Sequence, residues 1–231
     1  MQYYVCSIAN TGKGNLVPLL TDNIARIEKF VEDHDRPGRS VYSCPNPLKD
    51  GATRRSKENV EAIVTLHVDI DFKRLSTPPE EVRAALLALP LPIELRETGG
   101  IHIYANLKEP YENGSEHYQR AENLRTQLTE VFCADPAPNH SAALLRVVGT
   151  HNTKYGEPFE VAVIRAGEPV DITDVEAFLE LYSAPLFELK EEYKATNAAS
   201  LDAPYTPIDT DATLADTGLA SCVYVSMAML R

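Results

Sequence analysis

Ile63-Val64-Thr65-Leu66-His67-Val68-Asp69-Ile70-Asp71-Phe72 is the most strand-like run in the chain. Leu66, Val68, Ile70 and Phe72 alternate with His67, Asp69 and Asp71. Side chains on a strand point the same way every second residue, so both carboxylates are predicted to project from one face and the apolar set from the other. Two neighbouring like charges repel unless something positive sits between them. A pair of divalent cations about 3.5–4 Å apart is the usual solution in phosphoryl-transfer enzymes. The plainer alternative is a solvent-facing edge of an amphipathic strand, but aspartate is depleted in strands, and two in the middle of one weigh against it. His67 shares the aspartates' face and reads as a flank rather than a ligand.

Around this run the first 165 residues alternate strand-like and helix-like segments. Strands are predicted over Gln2–Ile8, Ser40–Ser43, Ile63–Phe72, Ile93–Arg96, Ile101–Leu107, Leu144–Val148 and Phe159–Ile164. Helices are predicted over Asn23–Asp33, where Ile24, Ile27, Phe30 and Val31 share a face, over Ser115–Phe132, and over Asp174–Tyr182. Thr77-Pro78-Pro79-Glu80 carries a start signature, with Thr77 as cap and Glu80 three residues on, for a helix ending near Leu89 before Pro90 and Pro92. The mixture predicts an α/β or α+β fold with a mixed sheet. Beyond Lys194 the composition shifts to Ala, Thr, Asp and Pro, as in a linker or tail.

Composition sets outer limits. The 231 residues are 44% hydrophobic and 24% charged, as in an ordinary globular chain. No apolar run approaches the length of a membrane span, and the start lacks a signal-peptide pattern. Cys6, Cys44, Cys133 and Cys222 are scattered with no C-x-x-C pair, so neither a cysteine zinc knuckle nor a disulfide framework is expected, and the compartment indicated is a reducing cytoplasm. The net charge of −12 is unevenly placed: Ala166–Arg231 holds 12 acids and 3 bases, leaving 22 acids and 19 bases in residues 1–165. The acidic balance therefore does not exclude a nucleic-acid partner for the first 165 residues.

Three further clusters carry chemistry. In Glu97-Thr98-Gly99-Gly100-Ile101-His102 the two glycines permit a tight turn and close approach to an anion, with His102 one strand step beyond, able to donate to a phosphate oxygen. A plain hairpin turn with a half-buried histidine explains the same residues. Arg146-Val147-Val148-Gly149-Thr150-His151-Asn152-Thr153-Lys154 places an arginine and a lysine on either side of a Gly-Thr turn, as a polyphosphate clamp would. Two solvated cations on a surface loop are the alternative. Asp135, in Cys133-Ala134-Asp135-Pro136, is by itself a common turn aspartate.

Together and in this order, these segments resemble the archaeo-eukaryotic primase (AEP) superfamily, in its primase-polymerase branch of phages, plasmids and mobile elements. The family's marks are a strand with D-x-D, a small-residue turn ending in x-H, a later acidic residue, and often an R-x-x-G-T-x-N-x-K stretch. Here they read as Asp69-Ile70-Asp71, Thr98-Gly99-Gly100-Ile101-His102, Asp135, and Arg146 to Lys154. The resemblance extends upstream through Arg39-Ser40-Val41-Tyr42 and Arg54-Arg55-Ser56-Lys57, covering roughly residues 1–165. Departures are Gly100, where the family often has serine, Val148, where it often has proline, and the lack of cysteine spacing for the zinc site many members add.

The resemblance implies a two-subdomain catalytic core over residues 1–194, one subdomain with an RNA-recognition-motif-like (RRM-like) sheet, followed by a linker or tail at 195–231. It implies two divalent ions, Mg²⁺ or Mn²⁺, on Asp69, Asp71 and Asp135, with His140 as a competitor for the last place. His102, Arg146 and Lys154 would hold the triphosphate of an incoming NTP or dNTP, with Thr98, Gly99, Gly100 and Asn152 around it. Arg54, Arg55 and Lys57 would contact single-stranded DNA template or primer phosphates, although a solvated basic turn explains them equally. Tyr104 and Asn106, on His102's strand face, are candidates for contact with the sugar. The implied activity is DNA-directed nucleotidyl transfer, as primase or polymerase, in a bacterial or phage-encoded replication protein that in many relatives continues into a helicase. The competing readings are an inactive single-stranded-DNA-binding initiator and a two-metal nuclease.

Overall fold

The computed structural model describes residues 1–10, 16–154 and 156–194. Two four-stranded sheets organise the chain. The first is built from β1 (Tyr3–Ala9), β2 (Leu16–Thr21), β3 (Arg39–Ser43) and, later in the chain, β7 (Leu145–Arg146), in the order β2-β1-β3-β7. The second takes β4 (Ala62–Ile70), β5 (Glu94–Glu97), β6 (Ile101–Glu112) and β10 (Ala162–Arg165), in the order β10-β5-β6-β4. A small hairpin of β8 (His151–Asn152) and β9 (Phe159–Glu160) lies between β7 and β10 in the chain. The α/β class is as expected, but every strand pair in these sheets runs antiparallel, and the parallel contact among the described residues is an isolated bridge between Leu107 and Val170. The tight turn at Gly99-Gly100 makes β5 and β6 a hairpin and so imposes antiparallel pairing where a mixed sheet was predicted.

The alternation in β4 does what its sequence requires. Leu66, Val68 and Ile70, with Leu95, Ile101 and Ile103, form one fully buried face. They pack with Val82 and Leu86 of α2 (Pro79–Leu87), Ala121, Leu124 and Leu128 of α3 (Glu116–Val131), and Val175 and Phe178 of α4 (Ile172–Leu181). Each fully buried aliphatic side chain there contributes about 1.5–3 kcal/mol. With helices on that face, the four antiparallel strands give the RRM-like sheet that the resemblance implies. Thr65, His67, Asp69, His102 and Tyr104 have the opposite parity and occupy the other face. In the first sheet, Val5, Val41 and Val147 pack on Ile27, Phe30 and Val31 of α1 (Ile24–His34), while Tyr4, Cys6 and Cys44 pack on Leu48 and Val60.

Several boundaries differ from prediction for local reasons. β4 stops at Ile70, not Phe72: the Asp71 carboxylate accepts from Lys73 N (3.1 Å) and starts a 3-10 turn over Phe72–Arg74. Thr77 does not cap α2, because its hydroxyl accepts instead from Glu188 N (3.0 Å). That helix ends at Leu87, and Arg165 donates to the carbonyls of Leu86 in its last turn and of Leu89 and Leu91 beyond it. The predicted strand at Leu144–Val148 is only two residues long, and the one at Phe159–Ile164 is split into β9 and β10. β2 was not predicted, because Pro18 interrupts its apolar pattern; it is tolerated because β2 is an edge strand. Among the described residues no helix is long and apolar enough to cross a membrane. The predicted linker or tail at 195–231 lies outside the described residues.

Candidate active site

The loop ends of the two sheets enclose a cleft of about 220 Å³, and it gathers residues from six separate stretches of chain. Asp69 and Asp71 enter from the end of β4, and Thr98, Gly99, Gly100 and His102 from the β5–β6 turn. Asp135 comes from the segment after α3, Arg146 from β7, and Asn152 and Lys154 from β8 and its exit. Ten predicted metal- or nucleotide-binding residues therefore line one cavity.

Backbone geometry fixes their relation. Asp69 and His102 sit directly opposite each other across β4 and β6, with His102 Nε2 3.5 Å from Asp69 Oδ1. Asp135 N donates to the Asp69 carbonyl (2.7 Å), which ties the third acid to the first. The turn is pressed against the end of β4: a Cβ on Gly100 would lie 2.2 Å from the Ile70 carbonyl oxygen. Gly100 is thus required first by the protein's own packing, beyond any approach of a ligand. Gly99 has φ +92° and faces the Asn152 amide.

Charge is concentrated in this space. Burial, and then the charges of Asp135 and Asp71, push the Asp69 carboxyl up to about 7, although Arg146 and Lys73 pull it down. Burial, with Arg146 and Arg96 nearby, holds His102 well below the ordinary histidine value, so its imidazole is neutral. His102 is 3% exposed and its Nδ1 has no hydrogen-bond partner; Arg146 is 9% exposed and its Nη1 has none. The Arg146 guanidinium lies over the Tyr42 ring at 4.9 Å. Buried polar atoms without partners are costly, and both belong to residues that line the cleft, where an anion would be matched by their N–H groups.

The three carboxylates share the cleft without converging on one point. Among the described residues no group of three acids, histidines or cysteines forms a finished metal cage. Asp71 Oδ2 holds Lys73 Nζ (2.7 Å), and Asp135 Oδ1 holds Arg74 Nη1 (2.7 Å). The donor set is nevertheless of the kind a hard divalent cation takes, namely carboxylate oxygens whose mutual repulsion is felt at Asp69. Two of the acids already attract cationic side chains.

Asn152 has a different place from the one expected of a nucleotide ligand. Its Nδ2 donates to Thr98 O (2.7 Å) and its Oδ1 accepts from Lys154 N (3.2 Å), so it clasps the Gly-turn to the loop that carries Lys154. That loop is anchored in turn by Thr153, which donates to Arg39 O and accepts from Asn10. His140 does not line the cleft; it is buried with His67 near Arg125, and burial and Arg125 lower His67 to about 3. The basic cluster also lies outside. Arg54 is exposed, Arg55 donates to Ala142 O and lies over the Tyr4 ring at 5.7 Å, and half-buried Lys57 is lowered by burial and Arg125. Tyr104 is buried under Arg96, whose guanidinium stands 3.9 Å from its ring centre, and Asn106 lines a separate groove with Pro47 and Pro110. Neither reaches the cleft.

Tyr42, Lys73 and Leu144 line the cleft and were not assigned to it from the sequence. Lys73 follows D-x-D by two residues, a spacing that signals proximity, and Tyr42 ends the Arg39–Tyr42 stretch already noted. Leu144 carries no such signal.

The fold is similar to that of the AEP domain of a phage primase-polymerase. The AEP domain of the cyanophage S-2L primase-polymerase superposes with a TM-score of 0.57 at 16% identity, over 76% of this chain and 88% of that one. A crystal structure of primase RepB′ gives a TM-score of 0.46 at 16% identity, over 87% of this chain and 64% of that one. The catalytic domain of RepB′ in complex with initiator DNA gives 0.45 at 15% identity, over 79% and 89%. No family model matches the chain, and no curated protein does.

Proposed function

We propose that the protein is a DNA-directed nucleotidyltransferase, a primase or polymerase that adds NTPs or dNTPs on a single-stranded DNA template. The observation that carries this reading is the cleft itself, where three carboxylates meet His102, Arg146 and Lys154, brought together from five stretches of chain. Asp69, Asp71 and Asp135 would hold the Mg²⁺ or Mn²⁺ ions, and those ions would supply positive charge where the attacking and leaving oxygens become negative. Neutral His102 would donate an N–H to the triphosphate, and the unpartnered Nη1 of Arg146 and the ammonium of Lys154 would balance its charge. Tyr42, under the Arg146 guanidinium, keeps that group in the cleft. Asn152 holds the turn and the Lys154 loop at a constant separation. Nucleotidyl transfer needs no nucleophile from the protein, and the described residues that line the cleft include no serine or cysteine.

The test is a labelled primer-template assay with Mn²⁺ and dNTPs, comparing the wild type with Asp69→Ala/Asp71→Ala. Extension by the wild type alone supports the reading, and labelled NTPs on unprimed template then test priming. DNA retention without extension would replace it with a binding module. Primer shortening abolished by the double substitution would replace it with a nuclease.

A further inference from the structure

Residues 186–193, a segment outside every motif, lie behind the acidic residues of the cleft. Its backbone is stitched to both stretches that deliver the distal acids. On the side of Asp71, Ser76 N donates to Glu188 O (2.8 Å), Leu75 and Leu189 form an antiparallel bridge, and Lys190 N donates to Arg74 O (3.0 Å). The Lys190 ammonium also donates to Lys73 O (2.7 Å). On the side of Asp135, Leu186 N donates to Val131 O (2.7 Å) and Cys133 Sγ to Phe187 O (3.0 Å).

Arg74 stands where these stretches meet. Its side chain is 10% exposed, its Nη1 is 2.7 Å from Asp135 Oδ1, and its guanidinium lies over the Tyr193 ring at 5.0 Å. Asp135 Oδ1 also accepts from Ala137 N (3.1 Å). Both bonds fall on one oxygen, so the carboxylate is held against rotation, and Oδ2 is the oxygen that remains for a cation. Arg74 would act as a simple competitor for Asp135 if it were able to swing away. Its backbone is held between Asp71 O and Lys190 N, and its charged plane lies against Tyr193, so it is a fixture of the site.

We propose that Arg74, backed by Tyr193, is a positioning residue that orients Asp135 for a divalent cation, which makes the segment after α4 part of the acidic site. This rests on the assignment of Asp69, Asp71 and Asp135 as cation ligands. Partners of metal-binding carboxylates typically matter by about 10–100-fold in metal affinity. Lysine at this position keeps the charge but not the planar fork or the ring contact.

The experiment is Mn²⁺ titration of the full chain by calorimetry, with free Mn²⁺ followed independently by electron paramagnetic resonance. Arg74→Ala is expected to weaken Mn²⁺ binding by about tenfold or more, and Arg74→Lys by an intermediate amount. Tyr193→Ala is expected to weaken it several-fold and Tyr193→Phe to leave it unchanged, and this half-buried position decides the matter if Arg74→Ala does not fold by circular dichroism. In an Asp135→Asn background, Arg74→Ala is expected to add nothing, because its effect passes through Asp135. Unchanged or tighter binding by Arg74→Ala, or an undiminished effect in that background, overturns the proposal and leaves the cation site standing. A wild type that takes up no Mn²⁺ overturns the cation site and the proposal together.

Discussion

Replacing Gly100 by alanine tests whether the cleft is built by the packing of the β5–β6 turn onto the end of β4. The new Cβ would lie 2.2 Å from the Ile70 carbonyl oxygen and 3.2 Å from its carbon, whereas real Cβ atoms essentially never come within 3.0 Å of a neighbour. The obstacle is backbone on both sides, so no side chain can move aside, and the turn must retreat by roughly 1 Å. Overpacking of this kind costs about 1–3 kcal/mol or more, and a domain of this size loses about 2–4 °C of melting temperature per kcal/mol. Gly100→Ala should therefore melt about 5–10 °C below the wild type. The retreat also carries His102 away from Asp69, so nucleotide affinity should fall along with stability. Differential scanning fluorimetry and a fluorescent-nucleotide titration read the two effects. Gly99→Ala is the internal control: it is strained by φ +92° but meets only the Asn152 amide, at 3.2 Å, and should lose less of both. A Gly100→Ala protein that melts within about 1 °C of the wild type, or a Gly99→Ala protein that fares worse, would refute this account of the turn.

Three more outcomes follow from the site. Asp69 has its folded pKa raised to about 7, so the unfolded state gives up this proton at lower pH than the folded state does. Asp69 therefore lowers stability as pH rises from about 4 to 7, and urea midpoints at pH 5 and 8 in EDTA should show that loss shrinking in Asp69→Asn; equal loss in both proteins would contradict the assignment. The same proton competes with a cation, so apparent Mn²⁺ affinity should increase between pH 6 and 7.5. Asn152→Ala removes both bonds of the clasp and should weaken nucleotide binding by up to about thirtyfold, given about 1 kcal/mol per bond. Asn152→Asp should be no better, since its carboxylate would face Thr98 O. Lowered melting with unchanged nucleotide affinity would reduce Asn152 to a structural role.

Much of the site was legible because its parts are local. The alternation from Ile63 to Ile70 places Asp69 on the face opposite the core wherever the strand packs, and two successive glycines before a strand demand a tight turn. A strand, a turn and a loop each announce themselves through neighbours in sequence, and ten of the expected cleft residues do line it. Misreadings arose where a distant group outbid the local one. Thr77 has the chemistry of a helix cap but bonds to Glu188.

The sequence alone determined the α/β class, the buried face of β4 and the residue types that could meet a cation or a triphosphate, since these follow from period and side-chain chemistry. Only the tertiary structure decided which of them share a cleft. It aligned Asp69 with His102 across two strands, pinned Asp135 to Arg74 from the segment after α3, and converted Asn152 into a clasp. These relations join residues 33 to 61 positions apart in the chain and depend on strand register and loop closure, which no local pattern encodes.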